Sequence, residues 1–320
     1  MSRHSAAWVP SGIRWNGADP MVEWCHLGDL PITDPFFEQT VDRAMRQPFN
    51  LLFGHRTPLH ELEQAQQAEL KLAGLIFHMS RCGSTVVSQM LGALERNVVL
   101  SEPAALDQVV RLPTRLPDMR DRLVPLMRGM VAALGRKRHA ERDLVIKLDA
   151  WHVLLLPLFR RAFPTVPWVF VYREPLEVLS SLARSRPAQM LPGWIPASLL
   201  SPAALAAAAD IDGYAVQVLA CYLRAAIDHL ADGGLLVKYR ELPEAACTKI
   251  PAHFGLRYGE AELAAMRAAA LQDAKSPRVR FRPDGAAKRE EASAEMRLLT
   301  ETHLAPLHAR LEALRLAQRS

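Results

Sequence analysis

The 320-residue chain is short of several things, and each shortage removes a class of function. It has four cysteines, Cys25, Cys82, Cys221 and Cys247, with no metal-like spacing among them. They read as reduced thiols of a cytoplasmic protein rather than a disulfide or zinc framework. No uncharged apolar run reaches the length of a membrane span, and the opening residues, MSRHSAAWVP, hold no apolar signal core. Basic residues are in slight excess, 39 Lys and Arg against 34 Asp and Glu, but only Arg136-Lys137-Arg138 cluster. A scattered surplus of this kind is not the footprint of a nucleic-acid binder. The chain also lacks a Gly-Lys-Ser/Thr triplet after an apolar strand, where a nucleotide hydrolase would carry it.

What is present centres on residues 72–92, LAGLIFHMSRCGSTVVSQMLG. An apolar run from Leu72 to Met79, broken only by His78, predicts a buried parallel strand. A polar turn follows, Ser80 to Thr85, and then helical spacing of Val86, Met90 and Leu91. Strand, glycine turn and helix together make an anion cradle, because the first helical amides have no internal partners and sit at the positive end of the dipole. Gly83 allows backbone to approach an anion, Ser84 and Thr85 add hydroxyls, and Arg81 adds a fixed cation. With the cation at Arg81 and no lysine in the turn, the cradle suits a ligand with a phosphate but no triphosphate tail.

Four more strands are expected: Val98–Leu100, Leu144–Lys147, Trp168–Tyr172 and Gly234–Tyr239. Ligands of open parallel sheets gather beyond the carboxyl ends of the strands, so Glu102, Lys147 and Arg173 stand where chemistry collects. Glu102 is there either as a proton acceptor or as a cap for the next helix. A lysine ending a buried strand calls for an anion or water at its ammonium.

The stretch FHMSRCGSTVVSQML resembles the 5′-phosphosulfate loop of the sulfotransferases, which take a sulfuryl group from 3′-phosphoadenosine 5′-phosphosulfate (PAPS). Arg81, Gly83, Ser84 and Thr85 fall on that loop's basic, Gly and Ser/Thr places. The run Arg173-Glu174-Pro175 with Ser181 on the following helix resembles the family's 3′-phosphate signature, and Arg184 is placed to add to it. The resemblance covers residues 72–290 and implies a three-layer α/β P-loop sulfotransferase-like fold, with a parallel sheet of about five strands flanked by right-handed crossover helices. The pattern is closest to the protein-tyrosine sulfotransferase-like and bacterial branch, and in the protein-tyrosine sulfotransferases a Glu matching Glu102 is the base. The cytosolic branch has its base His two residues after the matching Lys, where this chain has Asp149. Asp149 and, behind it, His152 are therefore the other candidate bases, although His152 also reads as a helix-surface histidine.

The resemblance further implies Lys147 at the sulfuryl bridge, with Arg81 beside it. It implies Arg81, Cys82, Gly83, Ser84 and Thr85 on the 5′-phosphate and Arg173 and Ser181 on the 3′-phosphate. Tyr239, followed by Glu241 and Leu242, approximates a family pattern after the last strand. Ser276 and Lys288 lie in a basic loop, residues 273–291, of the kind that closes over the nucleotide. The partners implied are PAPS and an acceptor small molecule, peptide or glycan. No metal, no nucleic acid and no stable membrane insertion are expected, and a second copy of the chain is a candidate partner. A P-loop nucleotide kinase-like phosphotransferase and a non-catalytic nucleotide-binding protein are the alternatives.

Residues 1–70 lie outside the resemblance and read as an appendage to a nucleotide-binding domain of residues 71–320. Their aromatics, Trp8, Trp15, Trp24, Phe36, Phe37, Phe49 and Phe53, are expected to pack it onto the main sheet rather than line an acceptor pocket. Prolines 10, 20, 31 and 35 suggest irregular chain, followed by helices over 34–46 and 58–70. Residues 186–202, rich in proline, suggest a lid. A helical region over 203–230 is expected to break at Gly213, and Pro306 to kink the last helix or split it in two.

Overall fold

The structure is a computed structural model. It describes residues 7–16, 19–64, 68–207, 210–273, 276–280 and 285–318, with the side chains of all but Asn16, 273–280 and 285–287. Its centre is a five-stranded, all-parallel sheet of β4 (Lys71–His78), β5 (Asn97–Ser101), β6 (Asp143–Lys147), β7 (Trp168–Tyr172) and β8 (Gly234–Lys238), in spatial order β5-β6-β4-β7-β8. The apolar runs predicted these strands closely, because a strand covered on both faces has no polar side to show. Residues 73–78 of β4 are all buried, and Phe77 meets the edges of Phe159 and Trp168 at 5.5 and 5.7 Å.

The strand order fixes where a ligand can sit. The connection from β4 to β5 passes over β6 in one direction, whereas those from β5, β6 and β7 run the other way. Right-handed crossovers then put the helix Ser84–Gly92 on one face and the helices within residues 104–134, 150–162 and 175–228 on the other. Helix Ser84–Gly92 accordingly packs on Glu260–Ala269, while Ala104–Arg111 packs on Leu123–Leu134. The crossovers part beside β4, which opens a crevice at its carboxyl end.

Residues 7–64 differ from the irregular chain expected. A hairpin of β1 (Trp8–Asn16) and β2 (Asp19–His26) is joined by β3 (His55–Pro58) into an antiparallel sheet. The prolines do not prevent it. Pro10 is on an edge strand beside a bulge, and Pro20 pairs with Trp15 one residue before β3 begins to pair with β2. The helix expected over 34–46 is Phe37–Met45, whereas that expected over 58–70 shrinks to His60–Gln64. The antiparallel sheet is tied to the rest by Ile13 N–H donating to Gln108 Oε1 and by Arg138 donating to Leu30 O at 2.9 Å.

Two further expectations change. The long helix begins at Ile211, so the break lies before Gly213, at Asp210, whose carboxylate accepts from the amides of Asp212 and Gly213. The basic stretch near residue 280 contains two short strands, β9 (Gln272–Asp273) and β10 (Ser276–Arg280), and a helix, Gly285–Glu290. The final helix is divided as expected, by a wide turn over Thr300–Leu304 before Ala305–Ala317. That last segment is clamped to the sheet by Glu312, which accepts from Tyr172 Oη and lies 3.1 Å from Lys238 Nζ. Among the described residues no helix is long and apolar enough to cross a membrane, and all four cysteines are buried and unpaired.

Candidate active site

The ends of all five parallel strands open onto one cavity of about 450 Å³, inside the range of small-molecule sites. β4 leads to it through a bend at residues 79–83. Among the described residues only three non-glycines have positive φ: Ser80 (72°), Arg81 (51°) and Glu102 (53°). All three line the cavity. Each such conformation costs about 1–3 kcal/mol and persists only where its surroundings enforce it. Here they do. Ser80 N–H donates to His78 Nδ1 at 3.1 Å, Cys82 Sγ donates to Val171 O at 3.0 Å, and Arg81 donates to Ser185 O.

Gly83 completes the bend at φ 84° and stands at the N-terminus of helix Ser84–Gly92, which no side chain caps. A Cβ on Gly83 would lie 2.7 Å from the Tyr239 ring, so glycine is needed for space as well as for conformation. The first amides of the helix and the buried Ser84 and Thr85 face the cavity. The Cys82 thiol does not. It points into the core, where burial pushes its pKa up to about 11, so Cys82 offers a ligand only its backbone. Burial and then the nearby Arg184 lower the Arg81 pKa, and its buried Nε has no hydrogen-bond partner among the described residues.

Opposite the bend, β5 and β6 bring a carboxylate to an ammonium. Glu102 N–H donates to Lys147 O at 2.7 Å, and Lys147 Nζ donates to Glu102 Oε1. Lys147 is 1% exposed and sits 5.2 Å from the Phe36 ring centre. Burial would raise the Glu102 pKa, but the Lys147 ammonium and the His78 hydrogen bond outweigh it and hold the carboxyl well below the usual carboxylate range. His78 accepts from Ser80 N–H through Nδ1, so Nε2 carries the proton. That Nε2 donates to Leu148 O at 2.9 Å and lies 3.5 Å from Glu102. Burial lowers its pKa, so the imidazole is neutral.

At the end of β7, Arg173 is 4% exposed and lines the cavity together with Ser181, from helix Pro175–Arg184. The guanidinium donates through Nε to Glu177 at 2.6 Å and lies 4.1 Å over the Tyr239 ring, so an ion pair and a stack fix its plane. Glu177 also accepts from Arg289. Arg184 and the buried Lys288, from Gly285–Glu290, line the same wall. The side chain of Ser276 lies outside the described residues.

Asp149 and His152 are not among the residues that line this cavity. His152 is 1% exposed, not a surface histidine, and its Nε2 lies 3.0 Å from Asp107 Oδ1. Asp107 also accepts from Trp151 Nε1 at 2.9 Å and from Arg111 Nε at 2.8 Å. The Arg111 guanidinium packs on both Trp151 and Trp194, 4.2 and 3.8 Å from the two rings, which pins the proline-rich segment 186–202 against the helix carrying Asp107. Burial and the neighbouring carboxylates Glu102 and Asp107 push the Asp149 carboxyl up to about 7, against the opposing pull of His152 and Lys147. Ligand atoms of Asp107, Asp149 and His152 gather within 4.8 Å. Asp107 is already taken up by Trp151, His152 and Arg111.

Sequence reasoning passed over Ser80, His78 and Gln189 as site residues and assigned Phe36 to packing rather than to a pocket, and all four line the cavity. Of these only His78 left a signal, as the lone polar residue near the end of a buried apolar run.

No protein-family model matches the chain, and neither does any curated protein. Among solved structures it is similar to the sulfotransferase STF1 from Mycobacterium tuberculosis H37Rv, at 16% identity over 76% of this chain and 81% of that one, with a TM-score of 0.48. It is similar also to the sulfotransferase STF9 from Mycobacterium avium, at 14% identity over 78% of each chain and a TM-score of 0.48. A third is mouse sulfotransferase SULT7A1 complexed with PAP, at 13% identity over 81% of this chain and 93% of that one, with a TM-score of 0.43.

Proposed function

We propose that the chain is a sulfotransferase that moves a sulfuryl group from PAPS to an acceptor hydroxyl or amine. The observation that carries this reading is the Glu102–Lys147 pair, set in a single cavity between two anion seats. One seat is the bend at 80–85, with an uncapped helix N-terminus, a glycine that admits no Cβ and a buried Arg81 Nε in need of an acceptor. It suits a 5′-phosphate. The other combines Arg173, Ser181, Arg184 and Lys288 and suits the 3′-phosphate. Tyr239, under Arg173 and against Gly83, touches residues of both seats and orients what lies between them.

In the proposed reaction the acceptor oxygen or nitrogen forms a bond to sulfur as the bond from sulfur to the bridging phosphate oxygen breaks. The acceptor proton passes to Glu102, and the electron pair of the broken bond stays on the departing phosphate. Lys147 and Arg81 neutralise that charge, so positioning and electrostatics supply most of the rate. Lys147 holds Glu102 in an ion pair in the structure as it stands. A sulfuryl oxygen that draws the ammonium away would raise the Glu102 pKa and turn a weak base into a competent one.

A kinase-like reading would put a lysine inside the bend. The lysines that line the cavity, Lys147 and Lys288, come instead from a strand end and a late helix. The test is to offer the purified chain sulfur-labelled PAPS with a panel of hydroxyl and amine acceptors. Label in an acceptor together with stoichiometric 3′-phosphoadenosine 5′-phosphate (PAP) is expected. Tight PAP binding without label transfer to any acceptor would leave a nucleotide-binding protein, and failure to bind PAP would remove the reading altogether.

A further inference from the structure

From Phe36, at the cavity wall, the chain runs through helix Phe37–Met45 to a short helix, Pro48–Leu52. There Phe49, Leu51, Leu52 and Phe53 are 43, 70, 74 and 59% exposed. Single exposed apolar side chains are ordinary, but four within five residues form a patch of the kind that marks an interaction surface. The exposure is enforced. Between them Asn50 is buried, its Oδ1 accepts from His26 N–H at 2.8 Å, and its Nδ2 donates to His26 O and Ala44 O, each at 2.8 Å. This clamp seats the turn on β2 through Asn50 and leaves its apolar neighbours outside. Phe49 is backed by His26 and Phe53, with ring centres 4.6 and 5.1 Å away.

Within the segment that carries the patch the charge has one sign, with Asp42 and Glu61 just outside it. From Arg43 to His60 the sequence holds three Arg and two His and neither Asp nor Glu. Arg43 and Arg56 are paired to Asp34 and Glu23, outside this stretch, whereas the exposed Arg46 makes no ion pair among the described residues. We propose that this tip docks on an anionic membrane surface, with Leu51, Leu52 and Phe53 entering the headgroup boundary and Arg46 meeting lipid phosphate. An apolar wedge beside an arginine is one way a peripheral segment holds to an anionic bilayer. A second copy fits less well. A stable dimer hides roughly 800 Å² on each partner, more than four half-exposed side chains supply. A two-fold contact would also press the basic rim against itself.

The experiment is sedimentation of the full chain with vesicles of phosphatidylcholine alone and with vesicles of three parts phosphatidylcholine to one part phosphatidylserine. The wild type is expected to pellet with the anionic vesicles only. L51S/L52S/F53S should lose at least tenfold in partition at an unchanged melting temperature, and R46E should lose the preference for phosphatidylserine. A wild type that stays in the supernatant, or a triple variant that still pellets, would overturn the proposal. So would light scattering that shows a dimer abolished by the same three substitutions, since the patch would then be a self-contact.

Discussion

Glu102 and Lys147 are joined twice, by a backbone hydrogen bond of 2.7 Å between neighbouring strand ends and by an ion pair between their side chains. The backbone bond holds Glu102 at φ 53°, so its carboxylate faces the cavity rather than following the strand. Removing only the charge, Glu102→Gln, keeps the shape. Turnover is expected to fall by about 100-fold or more, the scale of lost general-base catalysis. PAP affinity should hold or tighten, because a negative charge leaves an anion site. Initial rates and calorimetric titration of PAP check the two halves. Unchanged turnover would take Glu102 out of the chemistry.

Gly83→Ala tests the bend. Alanine at φ 84° costs about 1–2 kcal/mol, and its Cβ would meet the Tyr239 ring at 2.7 Å and Leu242 at 3.2 Å. The melting temperature should drop, and PAP affinity should fall more steeply than that drop explains, because Tyr239 must leave the cavity wall. Gly83→Ala with Tyr239→Ala should regain stability without regaining affinity. Thermal unfolding and titration of both variants decide it.

How much of this was legible depended on whether the signal was local. The five parallel strands were, since each is a short run without a polar face, and strand ends pointed to Glu102, Lys147 and Arg173. The antiparallel sheet of residues 8–58 was not. Pro10 and Pro20 suggest irregular chain, and nothing local shows that they fall beside a bulge and at a strand start, where the ladder needs no donor. His152 was misread because its polar partner, Asp107, lies 45 positions earlier. That the Cys82 thiol turns away to a carbonyl of β7 was equally invisible, since donor and acceptor are 89 positions apart.

Arg173→Ala separates the two anion seats. Its guanidinium is buried against Glu177 and Tyr239, and Arg289 remains to balance Glu177 once it is gone. Loss of a charge-assisted contact to the 3′-phosphate should weaken PAP by roughly 10–100-fold. Adenosine 5′-phosphate, which lacks that group, should bind both proteins alike. Competition titrations with the two nucleotides report the difference. Equal losses for both would mean that Arg173 supports the fold of the site and does not read the 3′-phosphate.

Asp149 makes a prediction about stability and pH that needs no substrate. Its carboxyl is pushed from the ordinary 3.8 to about 7 in the folded chain, mainly by burial. Between those values the folded state keeps a proton that the unfolded state has released. The unfolded state therefore binds fewer protons, and the Asp149 contribution destabilises the fold progressively as pH rises from about 4 to 7, by roughly 1 kcal/mol per pH unit at the steepest. Asp149→Asn removes the charge and keeps the shape. The variant should match the wild type near pH 4 and melt at a higher temperature at pH 8. Melting curves across that range measure it, and a wild type and variant that stay parallel would show that Asp149 is ionised throughout.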